Sequence, residues 1–158
     1  MTVRVLFVCL GNICRSPMAE AVFRQMVEDA GLSHAIEVDS AGTGSWHTGE
    51  RAHRGTRDVL ARHGIPYEGR ARQVDPRDFA RFDYILAMDD DNLTDLRRMM
   101  PPNSDAVLAR FLDFAPDAPV REVPDPWYDG RFDDVYALVR QGAAGLLEHI
   151  RREEGLQP

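Results

Sequence analysis

Residues 9–16 read Cys-Leu-Gly-Asn-Ile-Cys-Arg-Ser and follow directly on the apolar run Val3–Val8. Cys9 and Arg15 are separated by five residues, Leu10, Gly11, Asn12, Ile13 and Cys14. A thiolate is a strong nucleophile, and a guanidinium grips two phosphate oxygens in a planar fork. Gly11 permits close backbone approach, and Asn12 tolerates left-handed dihedrals. Ser16-Pro17 reads as a helix N-cap followed by proline at the first helical position. A helix N-terminus then stands behind the loop, and successive N–H groups converge on one anion site. Such a field favours the thiolate form of Cys9. Ser16 is also within reach of the sulfur. The chemistry that suits this set is attack on a phosphate monoester. Taken singly, each residue has a plainer reading: an inert buried cysteine, a surface arginine, an ordinary cap. Their combination sets those readings aside.

The flanking sequence supplies the elements that must position the loop. Val3–Val8 is β-branched and apolar apart from Arg4, the pattern of a central parallel strand. Met18, Ala21, Val22, Met26 and Val27 recur at helical spacing, and Gly31 stops that helix. Ile36–Ser40 is predicted as a second strand. Residues 41–54 are polar and glycine-rich, a loop of functional length that carries Trp46. A short helix is predicted over Thr56–His63 and another opens at Asp75-Pro76. Strand Asp83–Met88 and helix Asp89–Met100 follow, the helix with an acidic start and Arg97-Arg98 at its end. Val107–Leu112 is a fourth candidate strand. Residues 113–130 hold four prolines and read as a long loop, before a final amphipathic helix over Phe132–Arg152. Alternating strands and helices imply an α/β fold: one domain over residues 1–158, with a doubly wound, four-stranded parallel sheet and helices on both faces. Ligands of such sheets sit beyond the carboxyl ends of the strands, where Cys9 lies.

The formal net charge is −7, which speaks against general affinity for nucleic acid or anionic membrane. Every basic residue is arginine; there is no lysine. Residues 89–134 carry 12 acids and 5 arginines, whereas residues 47–72 carry 6 arginines and 3 acids. The apolar N-terminus is too short for a signal peptide or membrane span, so the expected location is the cytoplasm. Two cysteines without a histidine pair at ligand spacing make a poor metal site and too small a disulfide framework.

The segment Cys9–Pro17 resembles the signature loop of the low-molecular-weight protein-tyrosine phosphatases. The likeness extends to residues 38–46 (Val-Asp-Ser-Ala-Gly-Thr-Gly-Ser-Trp), to 71–73 and 79–93, and to Asp125-Pro-Trp-Tyr128, in the family's order. The resemblance implies a two-step displacement through a cysteinyl-phosphate, with Cys9 as nucleophile, Arg15 as phosphate clamp and Asp125 as general acid, then base. It implies no metal and no cofactor. It makes Asn12 and Ser40 hydrogen-bonded supports of the loop, and Trp46, Trp127 and Tyr128 walls of the cleft. It sets beside the plain reading of Cys14 as a buried loop residue a second one, in which Cys14 traps oxidised Cys9 as a reversible disulfide. The implied partner is a tyrosine-phosphorylated protein, such as an autophosphorylated bacterial tyrosine kinase, acted on by a monomer or weak dimer.

Within the same fold, protein-arginine phosphatases carry threonine where this loop has Ile13; the apolar side chain fits an aromatic ring better than a guanidinium. Arsenate reductases share the fold and loop but relay electrons through downstream cysteines, which this chain lacks. A phosphate-binding module without turnover is the non-enzymatic alternative, and the joint presence of nucleophile, arginine and acid speaks against it. Two positions depart from the family pattern. Gly69 stands where many relatives have histidine, which leaves Asp89 in want of a partner. Trp127 replaces the first of two tyrosines, so only Tyr128 remains as a phosphorylation candidate.

Overall fold

The computed structural model describes residues 2–156. Four strands, β1 (Val3–Cys9), β2 (Ile36–Gly42), β3 (Tyr84–Ala87) and β4 (Val107–Arg110), form one parallel sheet in the order β2-β1-β3-β4. Helices α1 (Arg15–Asp29), α2 (Arg54–Arg62), α3 (Asp78–Arg81), α4 (Asp90–Met99), α5 (Pro126–Asp129) and α6 (Phe132–Glu154) complete the chain. β1 is central, and all its residues except Arg4 are buried. That explains its near-continuous apolar character, since a strand covered on both faces has no solvent side to make polar.

Successive side chains of β1 enter opposite layers. Val5, Phe7 and Cys9 face a core shared with α1 and α6; Leu6 and Val8 face a second core with Phe79, Leu93 and Leu96. Phe7 is edge-on to Phe23 at 5.7 Å and to Phe111 at 5.1 Å between ring centroids. Truncating it to alanine would cost about 3–5 kcal/mol, and it sits two residues from Cys9 on the same face. Cys9 lies opposite Gly42 of β2, at the carboxyl edge of the sheet.

The fourth strand and the long loop after it differ from the sequence reading. The fourth strand stops at Arg110, and Phe111–Phe114 form a 3-10 turn. Phe111 and Leu112 are both fully buried in the same core, which consecutive residues of a strand cannot achieve but a tight helical turn can. The long 113–130 segment is ordered by Arg121, whose guanidinium donates to the carbonyls of Leu112, Ala115 and Ala118 at 2.9, 3.1 and 2.7 Å, and it ends in the single turn of α5. No helix among the described residues is long and apolar enough to cross a membrane.

Candidate active site

The carbonyls of the loop after β1 are held by neighbouring segments, which leaves its N–H groups for another acceptor. The Cys9 and Leu10 carbonyls each accept at 2.9 Å from the amides of Thr43 and Gly44, and Ile13 accepts from His53 at 2.7 Å. The Cys14 carbonyl accepts from the Thr56 hydroxyl at 2.9 Å. No backbone N–H from Leu10 to Cys14 has a backbone acceptor among the described residues. Asn12 takes φ 57°, the left-handed turn that closes the loop. The second strand must come close for this: a Cβ on Gly42 would stand 2.7 Å from the Leu10 carbonyl oxygen. The loop amides and the start of α1 thus form a cradle for an anion over Cys9.

Helix α1 begins at Arg15, not after Ser16. Cys14 occupies the cap position without a side-chain hydrogen bond. Ser16 lies inside the first turn because its hydroxyl is engaged elsewhere: Oγ stands 3.0 Å from Cys9 Sγ and accepts from Asn12 Nδ2 at 2.8 Å. Asn12 Nδ2 also donates to Ser40 Oγ at 3.0 Å. Cys9 and Cys14 are both free and buried. Burial, reinforced by Cys9 and Asp125 against the opposing pull of Arg15, pushes the Cys14 thiol up to about 12.

Arg15 is almost fully buried. Its Nη1 donates to Asp89 Oδ2 at 2.6 Å and to the Val123 carbonyl at 3.0 Å, and its Nη2 is 3.7 Å from Asp125 Oδ2. Burial works against the guanidinium charge, but Cys9, Asp89 and Asp125 outweigh it and hold the group above its ordinary value. A buried charge without such partners would be strongly destabilising. Asp89 has no missing partner beside Gly69. Besides Arg15 it accepts from the Asn92 amide at 2.8 Å, capping α4 in a reciprocal box. Asp125 caps α5, accepting from the Trp127 amide at 3.0 Å, with Pro126 at the first helical position.

Cys9, Arg15 and Asp125 are therefore brought to one place. The aromatic residues are distributed unevenly around it. Trp127 packs against His53 and His47 at 5.4 and 5.7 Å between ring centroids. His47 in turn lies over Gly11, where a Cβ would meet its ring at 3.0 Å. Trp46 is 71% exposed, its ring folded over Gly44. Tyr128 is 84% exposed, with no aromatic partner among the described residues. Leu10 is exposed at the loop's crest, whereas Ile13 is buried against Cys14, Ala71 and Phe132. Sequence reasoning did not single out His47, His53, Glu20, Tyr67 or Arg121. Asp89 carried a readable signal, an acid followed three residues later by Asn92 at a helix start. Among the described residues no group of three or more His, Cys, Asp or Glu side chains is placed to hold a metal ion.

A family model described as low molecular weight phosphotyrosine protein phosphatase matches residues 4–156. The low molecular weight protein-tyrosine-phosphatase YfkJ of Bacillus subtilis is 47% identical over 155 residues, covering 98% of this chain and 99% of the relative. The crystal structure of YfkJ superposes with a TM-score of 0.93 over 97% of each chain. A low molecular weight protein-tyrosine-phosphatase of Streptomyces coelicolor is 49% identical over 158 residues, covering 97% of this chain and 96% of the relative. A Drosophila arginine phosphatase of known structure is 32% identical, with a TM-score of 0.88, over 93% of this chain and 97% of that one.

Proposed function

The chain belongs to the low molecular weight phosphotyrosine protein phosphatase family and is a phosphatase; from that premise we propose that it hydrolyses phosphotyrosine on proteins through a phosphorylated Cys9. The Cys9 thiolate attacks phosphorus, forming the P–S bond as the P–O bond to the phenol breaks. Asp125 gives its proton to the departing oxygen. Water then attacks the cysteinyl-phosphate and loses a proton to Asp125; the P–S bond breaks, inorganic phosphate leaves and the thiolate returns. Arg15 and the inward N–H groups hold the three phosphoryl oxygens, where preorganised donors act most strongly. The Ser16 hydroxyl steadies the sulfur as nucleophile and as leaving group.

One observation carries the reading: Asp125 Oδ2 stands 3.7 Å from the Arg15 guanidinium, so an acid from a distant loop overhangs the cradle that Cys9 floors. The exposed Leu10, Trp46 and Trp127 give an aromatic phosphoester an apolar approach. Release of nitrophenol from nitrophenyl phosphate tests the assignment, with Cys9→Ser as the blank. A burst followed by steady turnover supports it; turnover that survives in Cys9→Ser removes it.

Cys14 fits a protective role toward Cys9. Peroxide would oxidise Cys9 to a sulfenate, and the Cys14 sulfur would displace its oxygen as water to leave a disulfide that a dithiol reduces.

A further inference from the structure

Glu20 of α1 is a buried acid with no part in the phosphoryl chemistry. Only 7% of its side chain is exposed. Its Oε2 accepts from Arg24, and its Oε1 accepts from Ser40 Oγ at 2.5 Å and from the Tyr67 hydroxyl at 3.1 Å. Tyr67 reaches it by crossing the space beside Gly69: a Cβ on Gly69 would stand 2.4 Å from the Tyr67 oxygen. The phenol and a side chain at position 69 exclude one another.

From Glu20 a run of hydrogen bonds leads through Ser40, Asn12 and Ser16 to Cys9. Asn12 Oδ1 accepts from the Arg72 amide at 3.0 Å, so the amide cannot be turned over, and Nδ2 faces the two serines. Ser40 spends its only proton on Glu20 and must accept from Asn12. Ser16 likewise accepts from Asn12, and its proton is left for Cys9 Sγ at 3.0 Å, nearer than the alternative Ala41 carbonyl at 3.4 Å.

We propose that Tyr67 is a positioning residue for the nucleophile: its phenol holds the Glu20 carboxylate on Ser40 and so keeps Ser40, Asn12 and Ser16 seated where the Ser16 hydroxyl meets Cys9. Burial, with the negative charge of Glu20 beside it, keeps the phenol protonated above its ordinary value, so it remains a donor. Ser40, by hydrogen bonding, and Arg24, by its charge on the far side of Glu20, oppose that rise without reversing it. Cys9 bears electrostatically on Cys14 and Arg15 and meets the Ser16 hydroxyl, and Tyr67 has no hydrogen bond to any of these three.

The inference rests on Cys9 being the nucleophile, but its test does not require turnover. The rate at which iodoacetamide labels Cys9 is followed against pH, with the adduct located by mass spectrometry, in wild type and Tyr67→Phe. The phenylalanine keeps the ring and removes only the donor. The expected result is a labelling midpoint raised by about half a pH unit, below the shift of about one to two units that losing a direct hydrogen bond to the thiolate would give. With nitrophenyl phosphate, kcat should fall about threefold with KM unchanged, the pattern of an interaction made in the transition state. Glu20→Gln, which breaks the relay at its end, should raise the midpoint at least as far and decides the matter if Tyr67→Phe does not accumulate. A midpoint that stays put or moves down overturns the proposal. Failure of the phosphatase reading would show separately, as nitrophenol release that survives Cys9 labelling.

Discussion

Asp89 and Arg15 are joined over 2.6 Å, and the same carboxylate caps helix α4 through the Asn92 amide at 2.8 Å. One side chain thus ties the pose of the phosphate-facing guanidinium to the start of a helix on the other side of the sheet. The two roles separate by substitution. Asp89→Asn keeps a good cap but loses the charge that faces Arg15. It should lower kcat/KM for nitrophenyl phosphate by about tenfold to a hundredfold while thermal stability changes little. Asp89→Ala loses both and should cost a further ~1–2 kcal/mol of stability in urea unfolding. Equal activities for Asp89→Asn and wild type would separate Asp89 from the pose of Arg15.

Cys14 makes stability depend on alkaline pH. Its thiol is pushed up to about 12 in the folded protein, against the usual value near 9. Between those values the unfolded chain loses the proton and the folded one keeps it, so stability falls as pH rises through that window. The raised phenols of Tyr67 and Tyr84 act in the same direction. Urea midpoints should therefore drop from pH 8 to pH 10.5, and Cys14→Ser should drop less steeply. Parallel slopes for the two proteins would be the contrary result.

The proximity of the two thiols also makes a redox expectation. Peroxide inactivation of the wild type should be reversed by dithiothreitol, whereas Cys14→Ser should recover only in part as Cys9 proceeds to irreversible acids. Equal recovery would remove the protective role from Cys14.

Cys9, its loop and α1 were legible because they are contiguous: strand, turn residues and helix start lie within one run of sequence. Ser16 reads as the cap because nothing local shows that Asn12 donates to its hydroxyl oxygen and Cys9 stands beside it. Asp125 became visible only through resemblance, since an Asp-Pro pair far from Cys9 reads equally well as a turn. The partners of Arg15 come from residues 74 and 108 positions away, and Tyr67 lies 47 positions from Glu20. Such pairings are set by the order of strands in the sheet, which periodicity does not report. Phe111 and Leu112 show the same limit within the core, where a short apolar run reads as the end of a strand and is a turn that buries both.

Substrate preference follows from the rim. Trp46, Trp127 and Leu10 are exposed and offer apolar surface to an aromatic ring. Phosphotyrosine peptides should exceed phosphoarginine peptides in kcat/KM by at least tenfold. Ile13→Thr, at a position buried against Phe132, should narrow that ratio. A phosphoarginine preference in the wild type would contradict the assignment.

In the proposed mechanism Cys9 carries the phosphoryl group between two steps. Rapid acid quenching of Asp125→Ala during turnover of nitrophenyl phosphate tests it most directly. This activated leaving group needs little help from an acid, whereas hydrolysis of the thiophosphate still needs the base. The quenched protein should carry one phosphoryl group on the peptide containing Cys9, and Cys9→Ser should carry none. Phosphate on another residue, or undiminished turnover without Cys9, would contradict the mechanism.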